Sequence, residues 1–181
     1  MRALYFIVDA LTQIVLFLLV LRLWLPVLRA DFRNPVAQAV LKITSPLVIP
    51  LRRVLPAIGR IDTATVVVTL GIQVLVIYLL AGMVMLSPSA ADVLMTAVVS
   101  LLLLSVYIFF YGILIYIILS WIAPGTYNPV AALLQVIAEP VLRPFRRVIK
   151  PIGGLDISPI FALIGLQALI ILIEPLRPLA I

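Results

Sequence analysis

The sequence predicts an all-α integral membrane protein: four transmembrane helices as two parallel two-span repeats, with amphipathic, Pro-interrupted interfacial helices between the spans. Three observations lead there. The 181 residues are 65% hydrophobic and only 11% charged, with a mean hydropathy of +1.33, and so apolar a chain cannot cover its own surface with polar groups in water. Four apolar runs come close to or exceed the ~20 helical residues that cross a hydrocarbon core. The chain also matches itself at a fixed offset.

The first span runs from Leu4 to Leu25, broken by Asp9, Gln13 and Arg22. Because Asp9 lies inside the run and no small-residue cleavage site follows, it reads as a retained span, not a signal peptide. The connector from Pro26 to Asp62 is basic (Arg29, Arg33, Lys42, Arg52, Arg53, Arg60) and rich in proline. Asn34-Pro35 has the form of an N-cap followed by a first helical residue, and Ser45-Pro46 repeats it, so two short helices joined by a bend are expected. Val36, Val40, Leu41 and Ile43 would turn the first of them toward acyl chains. Gly59 then reads as a turn residue, and Asp62 as the N-cap of an uncharged second span, Thr63 to Leu86.

A short loop, LSPSAAD, leads to the third span, Val93 to Ile122. Thirty residues make a helix of about 45 Å, which must tilt, bend near Gly112, or project from the bilayer. The second connector, Pro124 to Ile157, carries Arg143, Arg146, Arg147 and Lys150 and repeats the pattern of the first. Asn128-Pro129 and Glu139-Pro140 read as helix starts, Gly153 as a turn and Asp156 as an N-cap. The fourth span, Pro159 to Leu172, is the shortest and ends raggedly at Glu174.

At an offset of 94 the chain shows 16 identities over the 42 positions from Asn34 to Leu75, including Asn34-Pro35-Val36-Ala37 on Asn128-Pro129-Val130-Ala131 and Arg52-Arg53-Val54 on Arg146-Arg147-Val148. Asp62 falls on Asp156 and Gln73 on Gln167, and Trp24 pairs with Trp121 at an offset of 97. Hydropathy alone cannot align Pro, Arg, Asp and Gln, so this is a true repeat. Its units are residues 1–86 and 93–181, separated by a short outward loop at 87–92. Two spans per unit return the chain to its starting side, so the units share one orientation, about a pseudo-two-fold axis along the membrane normal. Ten of the thirteen basic residues lie in the two connectors, and after the acids Asp31, Asp62, Glu139 and Asp156 are subtracted the connectors hold a net +6, equal to the whole chain's. Basic connectors stay cytoplasmic, which places the termini and the short loop outside.

No Cys or His is present, which removes thiolate and imidazole chemistry. No Walker loop, dinucleotide fingerprint or metal-ligand spacing appears either, so the sequence predicts a protein that is not an enzyme, with no cofactor, metal or nucleic acid. The Arg52-Arg53 and Arg146-Arg147 doublets are the leading candidates for binding anionic lipid headgroups or an acidic partner, because guanidinium forks match phosphate oxygens. Asp9 is a candidate as a carboxylate inside a span, although it sits near the outer end and has only Val106 as its counterpart. Gln73 and Gln167 should make hydrogen bonds between helices, with Gly71 and Gly165 permitting close approach. Arg22, near the inner end, should snorkel. The aromatic residues, Trp24 and Trp121 among them, should serve as belt or packing residues.

The paired units LRLW…NP…SPLVIPLRRVLPAIGRID and LSW…NP…EPVLRPFRRVIKPIGGLD, each followed by an apolar span, resemble the twofold repeat of the YggT family of bacterial inner-membrane proteins, which has plastid relatives. That resemblance implies a role in osmotic-stress tolerance or in envelope, division, transport or assembly systems, and brings no catalytic residues. The expectation is a non-enzymatic membrane organiser, able to form homo-oligomers, with a basic cytoplasmic face. The alternative is a small channel or carrier affecting potassium or a compatible solute, built on Asp9, Gln73 and Gln167.

Overall fold

The computed structural model describes residues 2–122, 128–149 and 156–179; the expected turn at Gly153, and with it Pro124, Lys150 and Pro151, lies outside them. Six helices make up the fold: α1 (Arg2–Val27), α2 (Pro35–Arg52), α3 (Thr63–Met83), α4 (Ala90–Ile122), α5 (Pro129–Val148) and α6 (Ser158–Ile173), the last prolonged by a 3-10 turn over Glu174–Leu176. α1, α3, α4 and α6 with its turn are long and apolar enough to cross a membrane. Lipid offers no partners to free backbone groups, so each run satisfies its own by becoming a helix. The protein is a multi-pass membrane protein.

The connectors differ from expectation. α2 runs unbroken through Pro46 and Pro50, and α5 through Pro140 and Pro144, so each connector holds one helix where two were expected. A helical proline forfeits a backbone hydrogen bond and crowds a carbonyl, and polar side chains gather at that turn of α2. Thr44 Oγ1 donates to the Val40 carbonyl at 2.6 Å, Ser45 Oγ to the Leu41 carbonyl at 2.6 Å, and Arg22 Nη1 to the same Leu41 carbonyl at 3.2 Å. Ser45 thus bonds backward into its own helix instead of capping a new one. Its counterpart Glu139 does not cap either, because it accepts from Arg146 Nη1 at 2.6 Å. Nor does all of α2's apolar side meet lipid: Val40 is buried and Val36 packs beside it, leaving Ile43, Leu47 and Ile49 exposed.

The two repeats share a core. Val20, Leu21 and Leu25 of α1 and Ala37 and Val40 of α2 pack with Ile108 of α4 and Leu133 and Ile137 of α5. Trp24 meets Phe109 edge to face across the same seam, with centroids 4.9 Å apart. α4 is a single 33-residue helix, about 50 Å long, and α5 packs tightly on it at Gly112, where a Cβ would stand 3.0 Å from Ile137 Cγ2. Within each repeat the spans pair alike, α1 with α3 and α4 with α6. Between repeats the symmetry breaks. α3 also packs on α4, whereas α6 makes no matching contact with α1 among the described residues.

Candidate functional site

At the connector end, Arg22 is only 4% exposed. It does not snorkel. Its Nη1 donates to Thr44 Oγ1 at 2.9 Å and its Nε lies 3.9 Å from Asp62 Oδ2, because a counter-charge at the start of α3 is nearer than water. Asp62 holds the N-cap position with extended backbone, yet its side chain makes no capping hydrogen bond. Instead Oδ2 accepts from Thr65 Oγ1 at 2.9 Å and stands 3.9 Å from Arg52 Nε. The carboxylate thus faces two guanidiniums at ion-pair distance, with no hydrogen bond to either.

The second repeat builds the same tie with different parts. Position 22 has Leu119 as its counterpart at the offset of 97, so no span supplies a cation. Arg146 acts alone, its Nε donating to Asp156 Oδ2 at 2.8 Å while its Nη1 holds Glu139. Asp156 is not the N-cap, a position Ile157 holds one residue later, but its Oδ1 still accepts from the Ser158 backbone N–H at 2.9 Å, at the first turn of α6. Burial acts to raise this carboxyl, but the donors from Ser158 and Arg146 outweigh it and hold Asp156 below the usual carboxylate range.

The doublets therefore divide. Arg52 and Arg146 tie each connector helix to the aspartate that precedes the next span. Arg53 and Arg147 are exposed and make no ion pair among the described residues. Arg29, Arg33, Lys42, Arg60 and Arg143 are exposed with them. The two connectors also meet directly. Asn34 Oδ1 accepts from the N–H groups of Val36 and Ala37 at 2.8 and 3.4 Å, Asn128 Oδ1 accepts from Val130 at 2.8 Å, and Asn34 Nδ2 donates to the Pro129 carbonyl at 2.7 Å.

Toward the other end of the bundle, α1, α3, α4 and the tail after α6 enclose a polar pocket of about 220 Å³. Asp9 and Gln13 line it from α1, Gln73 from α3, Ser100 and Tyr107 from α4, and Glu174 and Arg177 from the tail. Gln13 Nε2 donates to Asp9 Oδ1 at 3.4 Å, but Gln73 makes no hydrogen bond to another helix among the described residues. The expected amide bridges are absent there because the glycines do not bring helices together: Gly71 has open space around it, and Gly165 meets only the ring of Phe145 at 3.8 Å. Gln167 is exposed on α6 and takes no part in the pocket. Sequence reasoning missed that Gln13, Ser100, Tyr107, Glu174 and Arg177 share a pocket with Asp9. The i, i+4 spacing of Asp9 and Gln13 was the one local signal available, since the tail reaches the pocket only through tertiary packing, with Leu179 N–H donating to Thr96 Oγ1 at 3.3 Å.

The sequence profile of the CCB3/YggT family matches this chain over residues 1–83 and again over 95–177. The chain belongs to the CCB3/YggT family. An uncharacterized protein of Pseudomonas aeruginosa is 40% identical over 176 residues, covering 93% of this chain and 86% of the relative. An uncharacterized protein of Vibrio alginolyticus is 38% identical, covering 92% and 91%, and the uncharacterized YggT protein of Escherichia coli K12 is 32% identical, covering 93% and 88%. No solved structure matches the chain. The two matched segments each carry one span, connector and span, so the arginine–aspartate tie occurs once in each YggT repeat.

Proposed function

We propose that this YggT-family protein is a non-enzymatic organiser of the bacterial inner membrane whose basic connector end faces the cytoplasm and engages anionic lipid headgroups or an acidic partner. The observation that carries the reading is the exposed basic surface of the connectors: Arg53 and Arg147 are exposed and pair with no carboxylate among the described residues, Arg52 is exposed as well although it faces Asp62 at 3.9 Å, and Ile43, Leu47, Val54 and Val148 lie exposed beside them. Charge next to apolar surface suits the headgroup boundary. The role in osmotic-stress tolerance, and any tie to envelope, division or transport proteins, is drawn from the family resemblance.

The test is the paired variant Arg53→Gln/Arg147→Gln. Each basic residue near an anionic surface contributes about 1 kcal/mol, so co-purifying phosphatidylglycerol should fall by roughly tenfold or more with the unfolding temperature unchanged. Unchanged retention would sink the proposal. In a strain lacking the protein, the variant should also fail to restore growth at high osmolarity. A channel or carrier reading finds support in the polar pocket, but below Gln13 and Tyr107 the adjoining wall turns apolar, with Leu18, Leu21 and Ile108. Liposomes holding the protein should show no selective potassium flux. Flux abolished by Gln73→Leu would favour the carrier instead.

A further inference from the structure

An apolar groove of about 760 Å³ lies between α1 and α4 and is lined at its connector end by Val40 of α2 and Leu133 and Ile137 of α5. Gln13, Leu104 and Tyr107 line both this groove and the polar pocket, so the two adjoin there. Along α4 the groove extends from Leu104 to Ile115, a rise of about 16 Å, and that is close to one leaflet of a ~30 Å hydrocarbon core. At its polar end stand Asp9, Glu174 and Arg177, none of them ion-paired among the described residues. Asp9 and Arg177 are half-buried, where a charge without a counter-charge is costly, and with the exposed Glu174 the pocket carries two carboxylates and one guanidinium.

We propose that the adjoining pocket and groove together bind a zwitterionic phospholipid bearing a primary ammonium head, with an acyl chain in the groove, the phosphate toward Arg177 and the ammonium toward Asp9 and Glu174. Charge complementarity selects the occupant. A purely anionic head would meet two carboxylates against one cation, and an apolar helix from a second copy would fill the groove while leaving all three charges without partners. The site lies away from Arg53 and Arg147, so it stands independently of the organiser reading.

The experiment uses the full chain, delipidated in detergent and offered equimolar phosphatidylethanolamine and phosphatidylglycerol, with retained lipid identified by native mass spectrometry. Phosphatidylethanolamine should be retained in preference, and Asp9→Asn and Arg177→Gln should each lower its retention about tenfold, the scale of one lost charge-assisted hydrogen bond. Ile115→Trp, at a position 45% exposed, fills the groove without touching the charges. It should lower retention while leaving the unfolding temperature unchanged, which keeps the test valid if a pocket variant misfolds. Arg53→Gln/Arg147→Gln should leave phosphatidylethanolamine in place. Equal or greater retention of phosphatidylglycerol, indifference to Ile115→Trp, or a dimer of the chain in place of bound lipid would each overturn the proposal.

Discussion

Asp62 and Asp156 occupy matched positions and do different work, which no inspection of their neighbours in sequence could have told. Asp156 keeps part of the expected duty by accepting from Ser158, while Asp62 gives up capping for a buried arginine that is 40 residues earlier in the chain. Removing one partner of a buried pair leaves the other charge uncompensated, so Asp62→Ala should destabilise the protein by about 3 kcal/mol, read from chemical denaturation in detergent. The Arg22→Met/Asp62→Ala pair should recover much of that loss, because no charge is then stranded. Asp156 makes a prediction about acid. Its carboxyl is held low in the folded protein, so between the folded and unfolded values the unfolded chain binds more protons and stability rises with pH. The contribution is complete above the ordinary carboxylate value and disappears as pH falls through the lowered one. Unfolding temperatures measured from pH 6 down to pH 3 should therefore drop less steeply in Asp156→Asn than in the parent.

At the level of helices, the spans were legible because a bilayer demands long apolar runs and little else competes with that demand. α1, α3, α4 and α6 fall within a few residues of the runs read from the sequence. The connector helices were less so. Local rules treat Pro46 and Pro140 as starts, but α2 runs continuous through its prolines, with Thr44 and Ser45 bonding back into their own helix and Arg22 reaching in from α1 at that turn. Gly112 shows the same limit, since a glycine in a long helix signals a bend as readily as a contact. Its contact with Ile137 can be measured. Gly112→Ala should cost about 1 kcal/mol by overpacking, and this cost should vanish in an Ile137→Ala background, which a double-mutant cycle on denaturation free energies would reveal.

For the whole molecule, the repeat was the most informative signal, because it fixed the parallel orientation of the units and brought the basic connectors to one end. That arrangement is joined by a bond no pattern could predict, from Asn34 to the carbonyl of Pro129. Asn34→Ala should accordingly cost more than Asn128→Ala: both lose a cap, at about 1 kcal/mol, but only the first cuts a tie between the halves. Thermal unfolding of the two variants side by side checks this. The candidate site was half visible: Asp9 and Gln73 were singled out, but Glu174 and Arg177 came from a tail that reads as a frayed end until it folds back.

The broken symmetry between the halves also settles a number. Had the units been true copies, a second pocket would face the opposite seam, yet the counterparts of Asp9 and Gln13 at the offset of 97 are Val106 and Phe110, and Gln167 looks outward. The proposed phosphatidylethanolamine site should therefore occur once per chain, and a plot of bound phosphatidylethanolamine against protein should saturate at one without cooperativity between halves.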